Sequence, residues 1–279
     1  MKDFHIHYHL DACGAEEMTM PNIERACIDL GIDEACVVKH YSQSMPNGKK
    51  DWICWHVTAG DALEQFLKEY HAYKPQKVKF HCGVETELLD DQGNINIPKE
   101  DQEKVDIVQC SIHFMINTEK LPMTLMLYPD LTFTPENNNE EGRRQVEEWK
   151  QKVNDVGAEY LISAVVKGYY NAIIKNPKIK SLAHMADGMK ALRLYGADVD
   201  SVPVSRQVEI FEPLMKLMAE KNIFWEIYDE YANPAIIKRA HEMGVTFTAT
   251  ADGHQLYKGW GPLCNHIKSE ERLKSLLNS

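Results

Sequence analysis

No CxxC pair occurs in this chain of 279 residues, although it contains seven cysteines. They fall at Cys13, Cys27, Cys36, Cys54, Cys82, Cys110 and Cys264, scattered and odd in number. That fits a reducing compartment better than a disulfide framework. The opening "MKDFHIHYHLD" lacks an apolar signal core, and no apolar run is long enough to span a bilayer. The expectation is a cytoplasmic protein without membrane contact. Excess positive charge is also missing: 31 Lys and Arg stand against 42 Asp and Glu, a net charge of −11. This opposes charge-driven binding to nucleic acid, which needs a basic surface. There is no GxSxG elbow, no Walker loop GxxxxGK, and no Cys set between Arg-rich loops, so no familiar nucleophile motif is present. Internal repeats and low-complexity linkers are absent. With 44% hydrophobic and 26% charged residues, the chain has ordinary globular composition, and its length suits one large domain over 1–279.

What is present starts at residue 3. In "DFHIHYHLD", His5, His7 and His9 alternate with Phe4, Ile6, Tyr8 and Leu10. A β-strand sends successive side chains to opposite faces, so the imidazoles would share one face and the apolar residues the other. Further apolar stretches read as buried strands: 2–7, 34–40, 77–88, 105–114, 179–185, 223–229 and 245–254. Helical patterns separate most of them. "MPNIERACIDLGI" opens with Pro21 and Asn22 and stops near Gly31. "DALEQFLKEYHAY", "VSRQVEIFEPLMKLMAEKN" and "NPAIIKRAHEMG" follow the helical period, and "EEGRRQVEEWKQKVNDVGAEYLISAVVKG" reads as one long amphipathic stretch. Strand alternating with helix predicts a parallel sheet covered by helices, and seven such units predict a closed or nearly closed α/β barrel. The stretch 115–142, polar and carrying Pro122, Pro129 and Pro135, reads as an insertion loop after a strand, either a plain surface loop or a lid.

Half of the twelve histidines, with Glu85 and Asp252, fall at predicted strand ends. The first strand ends in His5 and His7, the second in His40, and the third carries Glu85, with Glu87 on the same face. The fourth ends in His113, the fifth in His184, and the seventh in Asp252 and His254. In a parallel barrel all strand C-termini open onto one mouth, where active sites form. His56, His71, His81, His241 and His266 do not fit this pattern, and His9 is ambiguous. Imidazole and carboxylate suit zinc, iron and manganese. A single zinc needs only three or four protein ligands, so this set implies two or three divalent ions (Zn, Mn or Fe) with Glu85 as the bridge. Such clusters activate water and clamp the oxygens of an in-line displacement at phosphorus.

The same residues, in this order, resemble the polymerase and histidinol phosphatase (PHP) family of metal-dependent phosphoesterases. "DFHIHYH" is similar to the family's opening HxH, "VVKH" to its second motif, and "GVETEL" to Gly-x-Glu, which favours Glu85 over Glu87. "SIHF", "LAHMADG" and "TADGHQ" are similar to its Ser-x-His, Ala-His and closing Asp-x-His motifs. The resemblance implies a distorted (β/α)7 TIM-like barrel with a three-metal cluster. His5, His7, Glu85 and Asp252 would hold one ion, and Glu85, His113 and His184 a second. His40 and His254 would hold a third, with a histidine from the early loop. That histidine aligns with Ala15 in "CGAEEM", leaving Glu16, Glu17, His9 or Asp11 as substitutes, or a weak or empty third site. Lys39 replaces the usual Asp of the second motif, and either binds phosphate or points away.

Length and the segments "LAHMADGMKALRLYG" and "FWEIYDEYANPAIIKRAHEMGVTFTATADGH" resemble the histidinol-phosphatase branch, although Tyr228 stands where Asn is usual. The implied reaction is hydrolysis of a small phosphate monoester, histidinol phosphate first among the candidates, by a metal-activated hydroxide. The leaving alkoxide would be stabilised by another metal or protonated by a nearby acid, Asp252 or His254. The dianionic phosphate also needs cations, for which Lys167, Lys190, Arg193 and Arg206 are candidates against the plainer reading of solvated helix charges. Two alternatives stand beside this reading. One is another metal-dependent hydrolase, nuclease or amidohydrolase-like. The other is a non-catalytic metal-binding module of the same family. Trp52, Cys54, Trp55 and His56 in "DWICWH" would wall the pocket or, more simply, fill a core corner.

Overall fold

The computed structural model describes residues 1–11, 13–41, 59–122, 125–126, 139–228 and 233–278. The segment "DWICWH" lies outside these residues, as does half of the 115–142 insertion and with it the lid expectation. The elements run β1 (Lys2–His7), α1 (Met20–Leu30), β2 (Glu34–Tyr41), α2 (Ala59–Ala72), β3 (Lys79–Glu87), the short α3 (Lys99–Gln102), β4 (Ile107–Ser111), β5 (Phe114–Met115) and β6 (Leu125–Met126). They continue with α4 (Glu140–Val156), α5 (Ala158–Lys175), β7 (Ile179–Leu182), α6 (Asp187–Leu194), α7 (Val204–Lys221), β8 (Phe224–Ile227), α8 (Pro234–Glu242), β9 (Thr246–Ala249) and α9 (Asn265–Asn278).

Seven strands form one parallel sheet in the order β1-β2-β3-β4-β7-β8-β9, while β5 and β6 make a small antiparallel pair. The sheet curls back on itself. Gly253 pairs in parallel with Ile6, its amide donating to the His5 carbonyl (3.0 Å) and its carbonyl accepting from His7 (2.8 Å). With helices between the strands, the result is a nearly closed (β/α)7 barrel, as the alternation of patterns predicts. Asp3 secures the closure. Its buried carboxylate accepts from Thr250 Oγ1, the Ala251 amide and the His5 amide, and meets His266 Nδ1 at 3.0 Å. His266 is thus a structural residue on α9.

The apolar half of the "FHIHY" alternation behaves as the strand period demands: Phe4, Ile6 and Tyr8 are all buried. Burying a side chain such as Ile6, which is 0% exposed, contributes about 1.5–3 kcal/mol. Helix α1 begins with Pro21 in its first turn and ends on Gly31 at φ +75°, both as read from sequence. The long amphipathic stretch is two helices instead of one. Gly157, at φ +90° and ψ +140°, breaks it between α4 and α5, a conformation only glycine adopts readily. Five predicted strands are shorter than expected, β3, β4, β7, β8 and β9. β7 stops at Leu182 and β9 at Ala249, because His184 (φ +29°) and Asp252 (φ +47°) leave extended geometry. Among the described residues no helix is long and apolar enough to cross a membrane.

Candidate metal centre

Parallel pairing brings the C-terminal ends of all seven strands to one mouth, and the histidines and acids named from sequence meet there. His5 and His7 leave β1, His40 and Glu85 sit paired across β2 and β3, and His113, His184, Asp252 and His254 lie just past their strands. His5, His7, His40, Glu85, His184, Asp252 and His254 are buried, and His113 is partly so. Three non-glycine residues have positive φ among the described residues, and two of them are His184 and Asp252. Backbone held in that region is strained and persists where the surroundings over-determine it, a common mark of functional sites.

Distances show what the cluster can hold. His5 Nε2 and His7 Nε2 are 3.1 Å apart. Asp252 Oδ1 is 3.4 Å from the first and 3.1 Å from the second, and Glu85 Oε2 is 3.4 Å and 3.5 Å from them. Ligand bonds of 2.0–2.1 Å around a tetrahedral zinc imply ligand–ligand edges of about 3.3 Å. Five of the six separations among His5, His7, Glu85 and Asp252 therefore lie near that length, and His5, His7 and Glu85 form the compact group that one small divalent ion requires. The other Glu85 oxygen, Oε1, lies 3.0 Å from His184 Nε2 and 3.6 Å from His113 Nε2, so one carboxylate faces two donor groups. His40 Nδ1 stands 2.9 Å from Glu85 Oε2, yet neither atom has a hydrogen-bond partner of acceptable geometry. Buried polar atoms left this way are costly, and a cation between them removes the cost.

The protonation pattern agrees. His5 Nδ1 is 2.9 Å from Glu226, His7 Nδ1 is 2.9 Å from Asp11, His113 Nδ1 contacts Glu87, and His254 Nδ1 donates to the Asp252 carbonyl at 2.7 Å. Each partner is an acceptor, so it fixes the proton on Nδ1 and turns a bare Nε2 inward. Metal-ligating histidines are oriented in this way. In neutral form His5 Nε2 and His7 Nε2 would aim two lone pairs at each other across 3.1 Å, which only a shared cation or proton relieves. Without an ion the protein uses protons. Burial opposes charge on His7, but hydrogen bonds to Asp11 and Asp252 overcome it and raise its pKa to about 9. Burial likewise opposes charge on His113, and Glu87 with Glu85 lifts it to about 10. Glu85 is held well below the usual carboxylate range: burial resists, but His40, His5, His113 and His184 prevail. Burial and the neighbouring His7 depress His254 to about 3, so it stays neutral.

Sequence reasoning missed Glu226 and the supporting roles of Glu87 and Asp11. Glu226 accepts from Ser181 and Gln109 while holding His5, and Glu87 takes the His113 amide at 3.0 Å. Asp11 binds His7, accepts from the His40 amide and faces Lys39 Nζ at 3.4 Å. Strand alternation alone could have found Glu87 and Glu226. Asp11 is set by a loop and carries no such periodic signal. Lys39 is 1% exposed and donates to the His40 carbonyl, so it serves this loop from inside the fold. Changing Glu226 to Gln removes the charge behind His5 and should weaken metal binding roughly 10–100-fold. Chelator competition measures this, and an unchanged affinity would refute the orienting role.

The early loop also differs from expectation. Glu16 is exposed, Glu17 accepts from the Leu256 amide, His9 pairs with Glu69, and Asp11 is committed to His7. In their place the loop brings Cys13 to His7, His40 and His254, with one donor atom from each lying within 4.8 Å of the others. Three of the cationic candidates have acidic partners. Arg193 pairs with Asp200, Arg206 with Glu159 and Glu209, and Lys167 with Asp91, while Lys190 is half-buried on α6.

None of the family models and none of the curated proteins compared matches the sequence. Among solved structures, the chain is similar to histidinol phosphate phosphatase (HISK) from Lactococcus lactis subsp. lactis Il1403, a structure complexed with zinc, L-histidinol and phosphate. The match has a TM-score of 0.57 and 16% identity, and covers 99% of this chain and 93% of that one. At that identity the likeness is one of fold: this chain is built on the same barrel architecture as that phosphatase.

Proposed function

We propose that this protein is a metal-dependent phosphatase acting on a small phosphate monoester, with histidinol phosphate the leading substrate. The observation that carries this reading is the compact donor group of His5, His7 and Glu85, with Asp252 against both imidazoles at 3.1–3.4 Å. Glu85 extends it to His113 and His184. The structural neighbour, solved with zinc, histidinol and phosphate on the same fold, supports the choice of reaction and substrate.

In this reading His5, His7, Glu85 and Asp252 hold a first ion, Glu85, His113 and His184 a second, and His40 with His254 part of a third. Bound divalent ions supply charge neutralisation at the phosphoryl oxygens and water activated near neutral pH. The remaining steps belong to the chain. Glu226, Asp11 and Glu87 keep His5, His7 and His113 in one tautomer. Asp252, whose Oδ1 faces His5 and His7, would take up on Oδ2 the proton released by the attacking water and pass it to the leaving oxygen. His254, neutral and tied through Nδ1 to the Asp252 carbonyl, serves better as a donor of Nε2 than as an acid. Lys190, six residues past His184, is the cationic candidate for the phosphate. Trp260 is 57% exposed with its ring centroid 4.3 Å from His254, and offers a stacking face to a planar leaving group such as the imidazole of histidinol.

The test is phosphate release from a panel of phosphomonoesters with added zinc or manganese, alongside the metal content of the purified protein. Release from histidinol phosphate far above that from other esters is expected. Bound metal without release from any ester would overturn the phosphatase reading.

A further inference from the structure

We infer that Cys13 is a thiolate ligand to the third ion, and that this site selects zinc over manganese. The inference rests on the metal-binding reading above but on different atoms. The loop that carries Cys13 is tightly specified. Asp11 donates its amide to the Tyr8 carbonyl, Gly14 to the Asp11 carbonyl, and Met18 to the Ala15 carbonyl, while Met18 accepts from His9. A side chain at Gly14 would bring a Cβ to 2.5 Å from the Tyr8 carbonyl oxygen, so the turn needs glycine next to the cysteine. The Ala15 amide donates to the His254 carbonyl at 2.9 Å, pinning the loop against the segment after β9. These contacts hold the partly buried Cys13 beside His7, His40 and His254.

A second observation points to a ligand there. His254 is 3% exposed, its Nδ1 is satisfied by the Asp252 carbonyl, and its Nε2 makes no hydrogen bond among the described residues. The Cys13 sulfur with imidazole nitrogens of His40 and His254 forms a donor set of zinc type, His7 being committed to the first ion. Thiolate is a soft ligand that favours zinc, cobalt or iron over the hard manganese ion, whereas the mixed imidazole and carboxylate groups around Glu85 accept either. On binding, the thiol S–H bond breaks, its proton leaves to solvent, and the sulfur lone pair forms the bond to the ion. The position of Ala15, where no ligand atom is available, is thereby compensated two residues earlier.

The experiment uses the full chain, stripped of metal and reconstituted with zinc, manganese or cobalt(II) alone. The wild type is expected to take up three zinc ions but two manganese ions, and its cobalt form to show a near-ultraviolet sulfur-to-metal charge-transfer band. Cys13→Ala and Cys13→Ser should each lose the band and one zinc. Cys13→His should recover the third zinc without the band, which separates ligand loss from misfolding. Equal zinc content in wild type and Cys13→Ala, or a band that survives the substitution, would overturn the thiolate while leaving the phosphatase reading intact. A protein that keeps the third ion and the band but releases no phosphate would support the thiolate and refute the phosphatase instead.

Discussion

Replacing Glu85 with alanine is expected to strip the centre of metal and abolish phosphate release. The carboxylate lies within 2.9–3.6 Å of nitrogens on His5, His7, His40, His113 and His184, so no other side chain of the cluster touches as many donors. Loss of a group that merely orients a ligand costs roughly 10–100-fold in affinity or activity. Loss of the acid shared by two donor groups should exceed that range in kcat/KM, with metal content falling in parallel. Elemental analysis and initial rates on the leading ester read the two effects separately, and circular dichroism confirms that the variant folds. A Glu85→Ala protein with full metal content and full activity would refute the assignment of this residue as the bridge.

Chelation should have the second large effect, on stability. An ion that binds only the folded chain stabilises it by about 4 kcal/mol when present at a thousandfold its dissociation constant. For a chain of this size that corresponds to a melting temperature on the order of 10 °C higher per site. Removing the ions also leaves a pH signature. In the ion-free protein His7 and His113 titrate near 9 and 10, while an unfolded histidine titrates near 6.5. Their protons then stabilise the fold fully below about pH 6.5, and that contribution drains away as pH rises through 9 to 10. The denaturation midpoint of the chelated protein should therefore fall between pH 6.5 and 10 more steeply than that of the loaded protein, whose inward nitrogens carry no proton. Equal melting temperatures with and without chelator would contradict a built-in metal centre.

The barrel was legible because two periods alternate along the chain. Each strand is a short apolar run, and helices such as α1 carry their own start and stop in Pro21 and Gly31. The donors were legible because they sit where parallel strands end, and ladder pairing alone puts His40 beside Glu85. What stayed hidden depends on contacts that no local pattern encodes. Asp11 and Cys13 reach the centre through a turn whose shape is set by Gly14 and by a bond from Ala15 to a residue 239 positions away. A similar limit applies to the surface cations. Arg193 and Arg206 looked suited to phosphate by charge and position, but their partners Asp200, Glu159 and Glu209 became visible only in three dimensions.

The closing contact between Ile6 and Gly253 has a consequence for biogenesis. During synthesis His5 and His7 are made before Asp252, which is translated 247 codons after His5. A loop of that length costs entropy to close, and the first donor set cannot be complete until both ends meet. Metal loading thus follows translation and reports on it: a prematurely terminated polypeptide carries the imidazole pair but cannot assemble the cage, so cation capture certifies that the ribosome reached the far rim of the barrel.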